Sequence, residues 1–350
     1  MIDTRASPAL PERGETRDLL RAALRELHGP AARLEDWTED RRFTRYGKRR
    51  VVRYEVWARV AGLPHVRRYR WVGKIYERDA DARRVAAVLR QLDRRGAGEW
   101  GAPAVPGVLA YDARRRLLLL TYETGEPVIA ALGHETAAVL AALGRALAAL
   151  HATPAPVSLD SVTSPAAVLG ELRPMVADLC QRLPSQSASL RCALSELERN
   201  APPAPAATSL VHGDFGPANL LWRGGHIIVL DFDRCTRGDP ALDLGNLLAQ
   251  MRRVWVRNPD ALGDFASARR SVLDAYRGAS SPAARARGLG RRVAWYERAT
   301  LLRKIHRLTF DTTQYAEGEA MRRREAEALR AVSLRSPCDR RSRRDFVRSS

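Results

Sequence analysis

Apolar residues recur every three to four positions over 13–28 (Leu19, Leu20, Ala23, Leu24, Leu27) until "HGP" interrupts them, which predicts a first helix. From about 43 to 75 the period shortens: "VVRYEVWARVAG" and "RRYRWVGKIY", rich in β-branched and aromatic residues, flank "GLPH" and read as strand, turn and strand. Val85, Val88, Leu89 and Leu92 share one face of a helix expected at about 79–93, and "VLAYD" and "RLLLLTYE" form the next hairpin, turning near Ala113. Residues 30–122 are therefore expected to form a small sheet with one helix inserted after its third strand. Beyond "ETGEP" the pattern becomes helical. "ETAAVLAALGRALAALH" turns Val139, Leu140, Leu143, Leu147 and Leu150 inward, a helical stretch spans roughly 165–199, and more helices are expected near 262–277, 290–309 and 317–332. "GDPALDLGNLLAQM" starts another, with Asp239 as its N-cap and Pro240 at its first position. No internal repeat is visible.

This pattern divides the chain into an N-terminal helical extension (1–29), a small sheet-based lobe (30–122), a mostly helical lobe (123–333) and a tail (334–350) whose "LRSPCDRRSRRDFVRSS" has little to bury and reads as disordered. The fold class is α+β. With 45% hydrophobic residues in 350, a sizeable core is expected. There is no signal-peptide pattern, and "VIAALGHETAAVLAALGRALAAL", the longest apolar candidate, is broken by His134, Glu135 and Arg145, so a cytoplasmic protein with no membrane contact is expected. The four cysteines form no C-x-x-C pair, which argues against a zinc site or a disulfide framework. The net charge of +19 invites a nucleic-acid partner. Against this, 56 of the 59 basic residues are arginines scattered over the whole length, as a base-composition bias would leave them; the exceptions are Lys48, Lys74 and Lys304.

"LVHGDFGPANLLWRGGHIIVLDFD" (210–233) places His212, Asp214, Asn219, Asp231 and Asp233 at the ends of apolar strands. Carboxylates and an amide gathered there suit a hard cation such as Mg²⁺, which takes oxygen ligands and shares its shell with substrate phosphates. Asp214 and Asn219 are five positions apart, the spacing of the Asp and Asn in the catalytic loop H-R-D-x-x-x-x-N, and Asp231 follows across a hairpin closed by "RGG". Lys74 lies in the third strand, where a lysine reaches nucleotide phosphates in that architecture.

Together "VHGDFGPANLL" and "VLDFDRCTRGDPALDLGNLL" resemble the aminoglycoside phosphotransferase and choline kinase family, relatives of the protein kinases that phosphorylate small molecules. The resemblance implies a protein-kinase-like, two-lobed fold over roughly 30–310, with nucleotide in the cleft, a hinge near Thr121, Tyr122 and Glu123, and transfer of the γ-phosphoryl of ATP, with GTP also possible, to a small-molecule hydroxyl. Asp214 would orient and deprotonate that hydroxyl, Asn219 and Asp231 would hold Mg²⁺, and Lys74 would bind the α- and β-phosphates. Asp233 is either a further metal partner or a turn residue. His212 and Asp243 would brace the catalytic loop. Histidines 151 and 226 read as helix-end and hairpin residues.

The sequence departs from that family in two places. Where relatives carry a helix glutamate that pairs with the strand lysine, the alignment puts Val85; Asp81, one turn earlier, is the only acidic substitute on that face. An inactive pseudokinase acting as a binding or regulatory protein is thus a second reading. The glycine-rich loop is also missing: only Gly47 in "RYGKRR" can turn between the first two strands, bringing Lys48, Arg49 and Arg50 toward phosphates. "HGD" also occurs in metallophosphatases, but seven histidines, none paired at ligand spacing, are too few for such a site. The acceptor stays open. It would be bound by roughly 155–205 and 250–332, where no motif is readable, and a polycationic aminoglycoside calls for an acidic pocket that a chain at +19 does not advertise. Oligomeric state is equally open.

Overall fold

The computed structural model describes residues 11–40, 49–94, 103–205, 208–280, 288–310 and 319–333. The small lobe comprises α1 (Arg13–His28), β1 (Arg33–Asp40), β2 (Arg49–Arg59), β3 (Arg67–Tyr76), α2 (Asp79–Asp93), β4 (Val108–Asp112) and β5 (Leu117–Thr121). Its strands form one antiparallel sheet in the order β1-β2-β3-β5-β4. β5 explains the unbroken "LLLL". Successive side chains alternate faces, so Leu117 and Leu119 enter the core shared with α1, where Tyr54, Val56 and Trp71 also lie, while Leu118 and Leu120 enter the core shared with α2 and the large lobe. Both faces are covered, which is why the strand needs no polar side. β1 is less legible: "RLEDWTED" offers only Leu34 and Trp37 as apolar residues, and its place depends on backbone pairing at a charged sheet edge. The turn expected at Gly47 and Lys48, and the tail 334–350, lie outside the described residues.

The large lobe contains β6 (Glu126–Pro127), α3 (Val128–Ala131), α4 (Thr136–Ala152), β7 (Val162–Thr163), α5 (Pro165–Arg182), α6 (Ser187–Arg199), β8 (Ser209–Val211), β9 (Leu220–Arg223), β10 (His226–Val229), β11 (Thr236–Gly238), α7 (Ala241–Arg257), α8 (Phe265–Ala279), α9 (Leu289–Phe310) and α10 (Glu319–Ser333). The helical stretch expected at 165–199 is two helices. Pro184 drives Leu183 out of helical geometry (φ −129°, ψ 66°), and a short turn separates α5 from α6. Asp239 accepts a hydrogen bond from Ala241 N at 3.0 Å and pairs with Arg292 at 2.8 Å, while α7 begins at Ala241, one residue later than Pro240 promised.

Two small sheets carry the loops that matter: β10-β9-β6, and β7-β11-β8. The lobes are stitched where Ala104 pairs with the β9–β10 hairpin, its N–H donating to Ile227 O at 3.0 Å and its carbonyl accepting from Val229 N at 2.8 Å. Among the described residues no helix is long and apolar enough to cross a membrane.

Candidate active site

The loop from β8 to β9 holds Asp214 half-buried, and its backbone is fixed from below by one carboxylate. Asp243, fully buried on the first turn of α7, accepts from His212 N at 2.7 Å and from Gly213 N at 2.9 Å. His151 adds a third contact, with Nε2 3.2 Å from Asp243 and Nδ1 3.0 Å from the Tyr276 hydroxyl. A buried charge is tolerable only when so satisfied. The helix-end reading of His151 is therefore incomplete: its ring is buried and supports the loop from α4.

His212 is fully buried between Phe215 and Phe232 and connects the two halves of the site. Its Nε2 lies 2.8 Å from Leu230 O and its Nδ1 3.3 Å from Asp214 N, so the hydrogen-bond network assigns the proton to Nε2 and an acceptor to Nδ1. Gly213 has φ 76°, and a Cβ there would run into the Arg234 carbonyl, so only glycine permits this approach. Asn219 closes the loop: its Nδ2 donates to Asp214 O at 3.0 Å and its carbonyl accepts from Leu230 N at 2.9 Å. Among the described residues the side-chain oxygen Oδ1 accepts no hydrogen bond.

Across the cleft, β3 presents Lys74 and Tyr76 on the same face, two residues apart. Lys74 Nζ lies 2.9 Å from Asp231 Oδ1 and 3.1 Å from Asp233 Oδ1, and the Tyr76 hydroxyl donates to Asp233 Oδ1 at 2.9 Å. Asp231 takes the left-handed conformation (φ 63°, ψ 65°), uncommon for a non-glycine residue. Arg84 of α2 donates to Asp233 O at 2.9 Å and pairs with Asp81 at 3.1 Å. Asp81 also pairs with Arg78 at 2.9 Å, so its carboxylate serves α2 and not Lys74. Val85 is fully buried in the core. The helix thus contributes a cation to the Asp233 turn where an acidic partner for Lys74 was sought. Tyr76 was findable from strand alternation; Arg84 carried no signal, because its partner is 149 residues away. Beside this turn, burial pushes the Cys235 thiol up to about 11, which leaves it unreactive.

At the end of β5, where the resemblance places the hinge, Thr121 Oγ1 donates to Glu123 at 2.7 Å and accepts from Gly107 N at 2.8 Å. Glu123 pairs with Arg223 at 3.2 Å, and Tyr122 lies beneath the Arg70 guanidinium, 4.9 Å from its ring centroid. Gly47 lies outside the described residues. The structure therefore brings Lys74, Asp231 and Asp233 into contact and joins Asp214, Asn219, His212 and Asp243 in one network, whereas Asp81 stands apart. Two carboxylates thus meet at one ammonium, and among the described residues no group of three or more His, Cys, Asp or Glu side chains is gathered as a metal cluster.

A phosphotransferase fold is what this geometry defines, and comparison with known proteins makes the class explicit. The model of the phosphotransferase enzyme family (APH) matches residues 53–290, well over half of the chain, so the chain belongs to that family. No curated protein sequence matches it. Among solved structures, the streptomycin–ATP complex of the aminoglycoside phosphotransferase APH(2")-IIa is 15% identical, with 92% of this chain and 99% of that chain covered and a TM-score of 0.54. A thermostable mutant of APH(4)-Ia with ADP and hygromycin B is 19% identical over 87% of this chain and 96% of that one, with a TM-score of 0.53. The macrolide 2'-phosphotransferase MphH of Brachybacterium faecium is 23% identical over 88% and 97%, with a TM-score of 0.50. At these identities the likeness speaks for the fold.

Proposed function

We propose that this phosphotransferase moves the γ-phosphoryl group of ATP, with GTP as an alternative donor, to the hydroxyl of a small molecule in the presence of Mg²⁺. The observation that carries the reading is the meeting of Lys74 with Asp231 and Asp233, 157 and 159 residues away, beside the loop of Asp214 and Asn219. The nucleotides in the related structures support the donor class.

Asp214 would accept the proton of the attacking hydroxyl and orient it, with its own backbone held by His212 and Asn219 and the two residues before it held by Asp243. Asp231 and the Asn219 oxygen would hold Mg²⁺, with Asp233 as a further oxygen donor. The ion neutralises charge on the transferring group when bound. Lys74 would exchange its carboxylate partners for the nucleotide phosphates, while Tyr76 and Arg84 keep Asp233 in place.

Val85 favours a second reading, a pseudokinase that binds nucleotide without transfer. One assay separates the two: γ-labelled ATP and GTP with Mg²⁺ are offered to pooled hydroxyl acceptors, and wild type is compared with Asp214→Asn. Transfer that drops by about 10²- to 10⁴-fold in the variant, with nucleotide affinity retained, is the expected result. A fully active variant removes Asp214 from its role. Nucleotide binding without turnover in any pool supports the pseudokinase.

A further inference from the structure

Side chains of α9 and α7 reach the backbone of the Asp214 loop, and what they bring there is rich in donors. Thr300 Oγ1 donates to Asn246 Oδ1 at 2.6 Å, and Asn246 Nδ2 donates to Gly213 O at 3.1 Å, one residue before Asp214. Arg303 joins this chain through Nη2, 3.2 Å from Thr300 Oγ1 and 3.5 Å from Asn246 Oδ1. Lys304 is one helical turn beyond Thr300 and therefore on the same face. It is half-buried, and among the described residues it makes no hydrogen bond or ion pair. The charges that act on it are those of Asp214, which favours its ammonium, and of Arg253, Arg307 and Arg303, which oppose it. Among the described residues Arg303 has one carboxylate contact, Glu171 at 3.4 Å, whose side chain is 59% exposed; Arg234 adds its charge from the turn after β10. Gln250, one turn beyond Asn246 on α7, is more than nine-tenths buried against Gly216 of the catalytic loop, and its Nε2 donor has no hydrogen-bond partner among the described residues.

A buried donor without an acceptor costs free energy, and an ammonium out of water costs more. Arg253 is answered by the buried Glu325 at 2.5 Å, but Asp214 is the one carboxylate that acts on Lys304, and Arg303 has the exposed Glu171. A polycationic acceptor would meet repulsion at the point where its hydroxyl must reach Asp214; an anionic one would satisfy the unmatched donors. We propose that the acceptor is an anionic hydroxyl compound whose carboxylate or phosphate is held by Lys304 and Arg303 while its hydroxyl faces Asp214. The proposal rests on the kinase reading of the Asp214 loop. α9 lies almost entirely beyond the residues that the family model matches.

The test uses one hydroxylated scaffold in four charge states: glucose 6-phosphate, gluconate, glucose and glucosamine. Each is titrated by ligand-observed NMR into the full chain loaded with Mg²⁺ and a non-hydrolysable ATP analogue. Anionic forms should bind about 10- to 100-fold more tightly than glucose, the worth of one charge-assisted hydrogen bond, with glucosamine weakest. Tighter binding of glucose 6-phosphate than gluconate identifies phosphate as the anchor, and the reverse identifies carboxylate. Lys304→Glu should abolish the preference and let glucosamine overtake, and Lys304→Gln, a milder change checked by thermal melting, should shrink it. Glucosamine binding tightest, equal affinities for all four, or a charge order untouched in either variant overturns the proposal. So does a Lys304→Gln variant that weakens the nucleotide analogue alone, since Lys304 would then serve the transferring group. Charge preference without γ-phosphoryl transfer to any acceptor sinks the kinase reading and leaves the anion site standing.

Discussion

Lys304 keeps its proton against the cost of burial, which pushes its ammonium down to about 8 from the ordinary 10.5. Asp214 on the β8–β9 loop pulls the other way, while Arg253 on α7 and Arg303 and Arg307 on α9 add to the depression. The sign follows from where the proton is bound. Below pH 8 the group is charged in the folded and unfolded chain alike, and the burial cost is felt in full. Between about 8 and 10.5 the unfolded chain binds a proton that the folded one has lost, so this group's share of stability rises with pH. Anion affinity moves oppositely, because only the ammonium attracts an anion. Gluconate, whose own charge is constant over this range, should bind about tenfold more weakly at about pH 9 than at about pH 7, and Lys304→Gln should flatten the profile. A flat wild-type profile would mean that Lys304 does not face the ligand. Nothing in the sequence assigned Lys304 a role. Rarity among the basic residues singled out Lys74 and Lys304 equally, and Lys74 alone lay within a recognisable strand context.

At the scale of elements, the site depends on how closely helices approach. Gly245 of α7 faces α9: a Cβ there would lie 2.6 Å from both Glu297 N and the Tyr296 Cβ, so the helix backbones meet with no room for a methyl group. Asn246 follows directly and contacts Thr300 of α9, so the spacing that Gly245 permits also places Arg303 and Lys304. Gly245→Ala should therefore cost about 1–3 kcal/mol by overpacking, read from the urea midpoint, and should weaken acceptor use more than nucleotide binding. A variant that loses stability while both affinities stay intact would separate helix packing from the site. Much at this scale was legible. Periodicity located α1, α2, β2 to β5 and α4, and the segment 210–233 was legible as strands with polar residues at their ends, which the structure shows as β8, β9 and β10. The rest depended on partners distant in sequence. β1 shows too few apolar residues to signal itself, α5 and α6 are parted by one proline, and the bracing of Asp243 by His151 joins residues 92 apart.

For the whole molecule the question is what a charge of +19 does. That net charge already counts the acidic residues, but in the described residues many of the basic ones are paired locally. Arg53 pairs with Asp40, Arg59 with Glu35 and Arg68 with Glu55 across neighbouring strands; Arg78 and Arg84 share Asp81, Arg83 holds Asp79, and Arg252 and Arg269 share Glu297. Pairs of this kind contribute little stability at the surface, but they break the basic residues into separated points. Tight binding to a duplex needs the opposite, a row of cations in register with phosphates and free to release counterions. Retention of a DNA duplex of about 20 base pairs should therefore be weak at about 0.15 M salt, with Kd no tighter than the roughly 10⁻⁴–10⁻⁶ M of non-specific binding. Fluorescence anisotropy across a salt series checks this. A nanomolar Kd with a steep salt slope would show that the arginines act together, and would make nucleic acid a competitor for the cluster at Arg303 and Lys304. With weak binding, Lys304 stands out from the paired arginines: among the described residues it makes no ion pair, and its charge is coupled to Asp214, so an acceptor that reaches Asp214 would meet it.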